Sequence, residues 1–316
     1  MKYFVLSIVI CCFHMLAVSA GGFSYCPLPE TKSLSNVVAD SVAELPLPEV
    51  PTILQKPADR ANYIITHFWD AMDFRDTLRS HNRDFMEQNF SNFISVFPYA
   101  AEQAQRTAVR TLLEQAEADS VAYVLLKDIA EKYLYEPNSP MLSEDYYILF
   151  LERLVDSPIL GEYGTLRLRR QFEAALKNRP GMNAADFAYI TREGTSTTLH
   201  ETATAGNILL IFYDPDCEHC KEIMSELQVD KVLSNAVASR KITVLAIYSG
   251  DDHGLWKRTA TMFPADWVVG YESGALQENG LYVLRAMPTL YLLDQNKKVI
   301  HKDILPMQLF HLLRTP

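Results

Sequence analysis

Two cysteines separated by two residues, Cys217 and Cys220 with Glu218 and His219 between them, have the type and spacing to do chemistry. A pair of this kind can attack a disulfide, hold it as a mixed disulfide and resolve it. That requires a reachable thiolate and a second sulfur one helical turn further on. The redox reading makes Cys217 the nucleophile and Cys220 the resolving thiol. Their own disulfide is then the redox group, and no separate cofactor is needed. The same sulfurs can also act as two soft ligands for Cu(I) or Zn. That reading needs further ligands, for which His219 and the distant His253 are candidates. A third reading makes the pair a plain structural bridge. Three neighbours modulate the sulfurs: a protonated His219 attracts a thiolate at Cys217, while Asp216 and Glu218, with Asp214 nearby, oppose it.

The elements on either side must position the pair. Residues 208–213 (Ile-Leu-Leu-Ile-Phe-Tyr) are continuously apolar and β-prone, which suits a strand buried on both faces. Asp214, Pro215 and Asp216 break the run. Residues 221–228 lack Gly and Pro and carry Ile223, Met224 and Leu227 at helical spacing. Cys217 is therefore expected at a helix N-terminus, where unpaired N–H groups and the helix dipole favour an anion.

Around this unit, residues 185–316 read as an α/β domain. A hairpin (187–190 with 196–199) leads into the strand before the cysteines. A second buried strand follows at 242–248, a helix at 254–262, a strand at 267–271 and a helix at 276–284. Strands at 289–293 and 299–302 form a closing hairpin, and the last helix, 306–314, starts on Pro306. This alternation predicts a central mixed sheet flanked by helices on both faces. Residues 58–180 carry about six helical patterns and no strand signal, so an all-α domain is expected first. Phe85, Phe90, Phe93, Ile94 and Phe97 form an apolar stripe that reads as core, and Ser143 is placed to cap a helix running to Val155. His67 and His81 are single histidines with no partner histidine in the pattern, and read as satisfied surface or core residues rather than ligands.

The chain of 316 residues is 48% hydrophobic and 22% charged, a composition for two globular cores. Residues 1–20 read as a cleavable secretory signal: Lys2, an apolar stretch, then Ala17-Val18-Ser19-Ala20. The residues before Cys11, Cys12 and Cys26 are not small, which disfavours lipidation, and no later segment is expected to span a membrane. Residues 21–57 form a Pro-rich leader or linker. With the signal go Cys11, Cys12 and Lys2, so the formal charge of −10 becomes −11. An acidic chain without a basic stripe is a poor nucleic-acid binder. The three remaining cysteines, Cys26, Cys217 and Cys220, make no disulfide framework.

With these residues in view, 185–316 resembles the thioredoxin-like fold, and especially the TlpA-type thiol-disulfide oxidoreductases of the bacterial envelope. The matching residues are the strand 208–213, the Cys217/Cys220 motif, and Ala286-Met287-Pro288-Thr289 running into 290–294. The resemblance implies a cis Pro288 lying against the cysteines and a backbone contact to the substrate chain at Met287, so that both position the substrate. It implies a periplasmic or otherwise extracytoplasmic enzyme acting on disulfide-containing proteins, with a membrane-linked thiol reductant as electron donor. The helical half resembles a domain of unknown function that precedes thioredoxin domains in some bacterial envelope proteins. Two positions depart from the pattern. Ile211 stands where thioredoxins carry a buried Asp, and Asp216 replaces the usual aromatic residue. The acids and the TlpA likeness favour a reductant, whereas His219 favours a disulfide-forming oxidant; an isomerase stays open as well.

Overall fold

The structure is a computed structural model and describes residues 44–314. The expected signal, Cys11, Cys12, Cys26 and most of the Pro-rich leader lie outside the described residues.

The helical half is built from α1 (Pro57–His67), α2 (Thr77–Ser80), α3 (Arg83–Ser95), α4 (Glu102–Ala116), α5 (Ser120–Leu134), α6 (Glu144–Leu154) and α7 (Gly161–Ala175). Short polar side chains set the starts. The Asn82 side chain accepts from Phe85 N, Asp119 from Val121 N and Ala122 N, and Ser143 from Tyr146 N, each satisfying a first-turn N–H that has no partner inside its helix. The aromatic stripe is core: Phe90 packs 5.5 Å from Phe150, and Phe93 lies 4.9 Å from Phe97 and 5.5 Å from Phe68. The end of the leader joins this core, since Leu45 is buried and its N–H donates to the Asn89 side chain at 2.8 Å. His67 and His81 are satisfied by neighbouring carboxylates, as the sequence reading expects. They lie 2.7 Å from Asp70 and 2.8 Å from Asp119, and the second carboxylate also caps α5.

The second half adds β1 (Ala188–Thr191), β2 (Ser196–Thr198), β3 (Asn207–Tyr213), α8 (Glu218–Val229), α9 (Lys231–Ala238), β4 (Ile242–Ser249), α10 (His253–Thr259), β5 (Val268–Glu272), α11 (Ala275–Glu278), β6 (Thr289–Leu293), β7 (Val299–Lys302) and α12 (Pro306–Arg314). The seven strands are ordered β2-β1-β5-β4-β3-β6-β7, with β3, β4 and β5 parallel and the other pairings antiparallel. Strand β3 lies between β4 and β6, which accounts for its unbroken apolar sequence. Leu209, Ile211 and Tyr213 face one core with Cys220, Met224, Leu233 and Leu309. Ile208, Leu210 and Phe212 face the other, with Phe187, Tyr282 and Tyr291.

The helix expected at 276–284 ends at Glu278. Gly280 adopts φ +59, and the N–H groups of Leu281 and Tyr282 turn back to the Leu276 carbonyl, so 279–288 is an irregular segment leading to β6. Helix α9 was not read from the sequence. It starts where the Asp230 carboxylate takes the N–H groups of Val232 and Leu233, directly after α8. No helix among the described residues is long and apolar enough to cross a membrane.

The halves are fastened where residues 177–184 and the 279–288 segment meet. Asn178 donates to the Leu281 carbonyl at 2.8 Å and accepts from Ala185 N at 2.9 Å; Lys177 Nζ donates to the Gly280 carbonyl at 2.6 Å. Residues 181–184 also pair with the start of β7 and the turn before it: Gly181 N donates to Val299 O, Val299 N to Met182 O and Ala184 N to Lys297 O, at 2.7 to 2.9 Å.

Candidate functional site

The β3–α8 turn places the cysteines. Asp214 Oδ1 accepts from Asp216 N at 2.8 Å and Cys217 N donates to Asp214 O at 3.2 Å, closing the turn between strand and helix. Cys217 is the N-cap of α8, and its sulfur accepts from Cys220 N at 3.4 Å. A first-turn N–H that carries no helical bond is thus aimed at the Cys217 sulfur, the position in which it favours negative charge. Both cysteines are free thiols. Cys217 is half-buried, whereas Cys220 is only 1% exposed and sits in the core with Ile211 and Tyr213. Only Cys217 can be approached by a bulky disulfide.

The other expected site residues divide into those near the sulfurs and those turned away. The Met287–Pro288 peptide bond is cis, and the Met287 carbonyl lies 3.9 Å from Cys217 Sγ. Glu218 and His219 are exposed and engaged with neighbours on the same helix, Glu218 with Lys221 at 2.6 Å and the His219 ring with Glu222 at 3.6 Å. The basic side chains next to Cys217 in sequence are therefore paired with acids. Asp216 is exposed. His253 is not brought to the pair: its ring packs against Trp256 (5.4 Å) and Tyr271 (4.8 Å). Among the described residues no three His, Cys, Asp or Glu side chains cluster as a metal site.

Burial pushes the Cys220 thiol up to about 12, with further upward contributions from Cys217 and the Asp214 charge; the N–H that Asp214 donates to its sulfur, at 3.4 Å, only partly opposes this. Ile211 is fully buried and paired in register with Leu290 and Ala246, so its position offers no carboxylate to draw the proton away. A thiol whose pKa is higher folded than unfolded stabilises the fold fully below its unfolded value, here about 9, and that contribution is lost as pH rises toward about 12. In the reduced protein, the stability difference between wild type and Cys220→Ala should therefore shift against wild type by about 1.4 kcal/mol between pH 8 and pH 10. Denaturant titrations of both proteins at the two pH values measure it, and an unchanged difference contradicts it.

Sequence reasoning missed the groups behind the Met287–Pro288 segment. Arg285 Nη2 lies 2.5 Å from Asp303 and 3.5 Å from Glu144. Its Nη1 donates to the Tyr135 carbonyl at 3.3 Å, and the guanidinium sits 4.3 Å from the Tyr135 ring centroid. Lys302 Nζ completes the group, 2.5 Å from Glu144. Glu144 opens α6, where a negative charge suits the helix N-terminus. Its carboxyl is nonetheless raised above the ordinary range, because burial outweighs the pull of Lys302 and Arg285. Arg285, two residues before Met287, is thus tied to the helical half. The available signal was a lone arginine inside an apolar stretch next to the Met-Pro pair.

Comparisons with known proteins bear on both halves. A family described as "Domain of unknown function (DUF5106)" matches residues 28–178. No curated protein matches. Among solved structures, a thioredoxin-like protein from Bacteroides caccae is 32% identical, with a TM-score of 0.79 over 85% of this chain and 97% of that one. A conserved protein of unknown function from Bacteroides fragilis is 36% identical over 43% of this chain and 98% of its own, with a TM-score of 0.41. The thioredoxin domain of a thiol-disulfide oxidoreductase from Bacteroides vulgatus is 19% identical over 43% and 95%, with a TM-score of 0.37. The Bacteroides caccae structure spans helical and sheet halves together, and on that likeness over 85% of its length this chain belongs to the thioredoxin-like family.

Proposed function

We propose that the protein is an extracytoplasmic thiol-disulfide oxidoreductase that reduces disulfides in protein substrates. The observation that carries this reading is the asymmetry of the pair: a half-buried Cys217 at a helix N-terminus and a fully buried Cys220 whose N–H points at it. In the first step the Cys217 thiolate attacks one sulfur of the substrate disulfide. A Cys217–substrate disulfide forms, and the other substrate sulfur leaves as a thiolate. In the second step Cys220, giving up its proton, attacks Cys217 Sγ. The Cys217–Cys220 disulfide forms and the first substrate sulfur leaves as a thiol. Two electrons and the Cys220 proton pass to the substrate, the first leaving thiolate takes its proton from solvent, and the protein ends oxidised. A membrane-linked thiol reductant is the proposed donor that restores the dithiol. Met287 and Pro288, beside Cys217, are proposed to position the substrate chain.

Reduction is favoured over oxidation because a strong oxidant needs a well-stabilised thiolate, whereas the basic groups next to Cys217 are occupied by Glu218 and Glu222. Equilibration of the protein with dithiothreitol or glutathione buffers, followed by thiol counting, is expected to show one two-electron transition. Its potential should lie nearer the roughly −270 mV of thioredoxin than the roughly −120 mV of DsbA. A value close to the latter makes the protein an oxidant. No transition, with metal retained by the purified protein, revives the metal-binding alternative.

A further inference from the structure

Between Tyr282, buried in the core, and Thr289, where β6 begins, the chain runs without a ladder to fix it. Among the described residues, the backbone of 283–288 makes no backbone–backbone hydrogen bond. Yet this stretch carries the Met287 carbonyl to 3.9 Å from Cys217 Sγ, next to the cis peptide bond to Pro288. Side chains must therefore set where it lies, and the one that grips most is Arg285.

Asp303 holds the Arg285 guanidinium from its own half, at 2.5 Å. The helical half holds it from the other side: Glu144 at 3.5 Å, the Tyr135 carbonyl at 3.3 Å, and the Tyr135 ring with its centroid 4.3 Å away. Glu144 is fixed in turn by Lys302, whose Nζ also donates to the Lys177 carbonyl at 3.0 Å. The start of the segment is fastened from the same side, by Lys177 at Gly280 and Asn178 at Leu281. Tyr135, Glu144, Lys177 and Asn178 all lie within the stretch matched by the family of unknown function. The Arg285 side chain is 12% exposed, and its planar fork is engaged on several sides, so it tethers more firmly than a surface ion pair. Two residues further on comes Met287, at most about 7 Å of chain away. A shift of the guanidinium thus reaches Met287 with little slack.

We propose that the helical half is a positioning domain for the exchange reaction: through Tyr135 and Glu144 it holds Arg285, and through Arg285 it holds the Met287–Pro288 segment in place over Cys217. This rests on the oxidoreductase reading above and gives the helical half a part in it. Arg285 is a positioning residue and touches neither the sulfurs nor the substrate. A misplacement of about 1 Å at a reacting centre can cost about a hundredfold in rate. Loosening the segment therefore slows attack on a substrate disulfide, while the Cys217 thiol keeps its own reactivity.

The test uses the pre-reduced full chain, well below its melting temperature. Two rates are measured: single-turnover reduction of a disulfide peptide, and alkylation of Cys217 by iodoacetamide across pH, which reads the thiolate without using the segment. Arg285→Ala, shown folded by circular dichroism, is expected to reduce the peptide about tenfold or more slowly than wild type. Its alkylation should stay within about twofold. Arg285→Lys, which keeps the charge and loses the fork, should fall between the two in peptide reduction. A role in stability alone predicts no change of rate while the protein is folded. Peptide reduction by folded Arg285→Ala within about twofold of wild type therefore overturns the proposal. An equal loss in alkylation also overturns it, since the effect would then lie on the Cys217 thiol. If Arg285→Ala does not fold, Tyr135→Leu and Glu144→Gln on the helical side take its place. Each is expected to lose about threefold or more in peptide reduction, and no loss in either overturns the proposal. Wild type that reduces neither the peptide nor hydroxyethyl disulfide overturns the oxidoreductase reading and the positioning role with it.

Discussion

Cys217→Ser is expected to abolish disulfide reduction, and Cys220→Ser to stop it one step later with the substrate still attached. The difference follows from access. Cys217 is half-buried and borders the cis Met287–Pro288 segment, whereas Cys220 is 1% exposed and held in the core beside Ile211. A serine oxygen cannot enter a disulfide, so loss of Cys217 leaves only the background exchange of solution thiols. Loss of Cys220 leaves attack intact and removes the sulfur that would release the substrate. Incubation with an oxidised protein substrate, non-reducing electrophoresis and mass spectrometry should find a one-to-one adduct for Cys220→Ser and none for Cys217→Ser. An adduct on the Cys217→Ser protein would reverse the proposed roles. Full activity in Cys217→Ser would make the pair a structural bridge.

The second large effect is expected at Arg285. Its side chain is 12% exposed, and those of Glu144, Lys302 and Asp303 are 15%, 7% and 24% exposed, so the group lies mostly out of water. Arg285→Ala removes one cation and leaves Asp303 and half of Glu144 without their partner. Stranding a buried charge costs about 3–5 kcal/mol, and the lower end applies because Lys302 still faces Glu144. For a chain of 316 residues, with an unfolding entropy of about 2.1 cal/mol/K per residue, that corresponds to a fall in melting temperature of about 4–5 °C. Arg285→Lys should recover only part of the loss. Lysine keeps the charge but loses both the fork that reaches Asp303, Glu144 and the Tyr135 carbonyl and the stacking on the Tyr135 ring. Calorimetry of the reduced proteins decides. A shift within 1 °C for Arg285→Ala would show that the network adds nothing to stability.

How legible the molecule is from its sequence depends on how far apart the interacting residues lie. The strand 208–213 and the cysteine turn are written locally, in an apolar run, a Pro-Asp break and a helical pattern, and the structure has them at β3 and α8. Ser143 is equally local: its hydroxyl caps the helix that begins at the next residue. Apolar spacing misleads at 276–284, where Leu276, Leu281 and Leu284 suggest a helix that Gly280 ends early by its positive φ. Helix α9 escapes because Asp230 both ends one helix and starts another, leaving no loop to mark the boundary. Arg285 and Tyr135 are 150 residues apart, and no periodicity carries information over that distance. Local chemistry was therefore readable, and the contribution of the helical half to the site was not.

An oxidoreductase with the protein substrates proposed above would meet a hazard of its own, because an open strand at the rim of a sheet can recruit an extended chain by hydrogen bonding and seed aggregation. Here β7 would be that rim. Residues 181–184 pair with its first residue, Val299, and with Lys297 in the turn before it, and these bonds use backbone groups that a foreign strand would need at that end. The opposite rim, β2, is only three residues long (Ser196–Thr198), too short to template a stable addition. Under the proposed function, the covered start of β7 and the short β2 would offer client polypeptides less backbone on which to propagate.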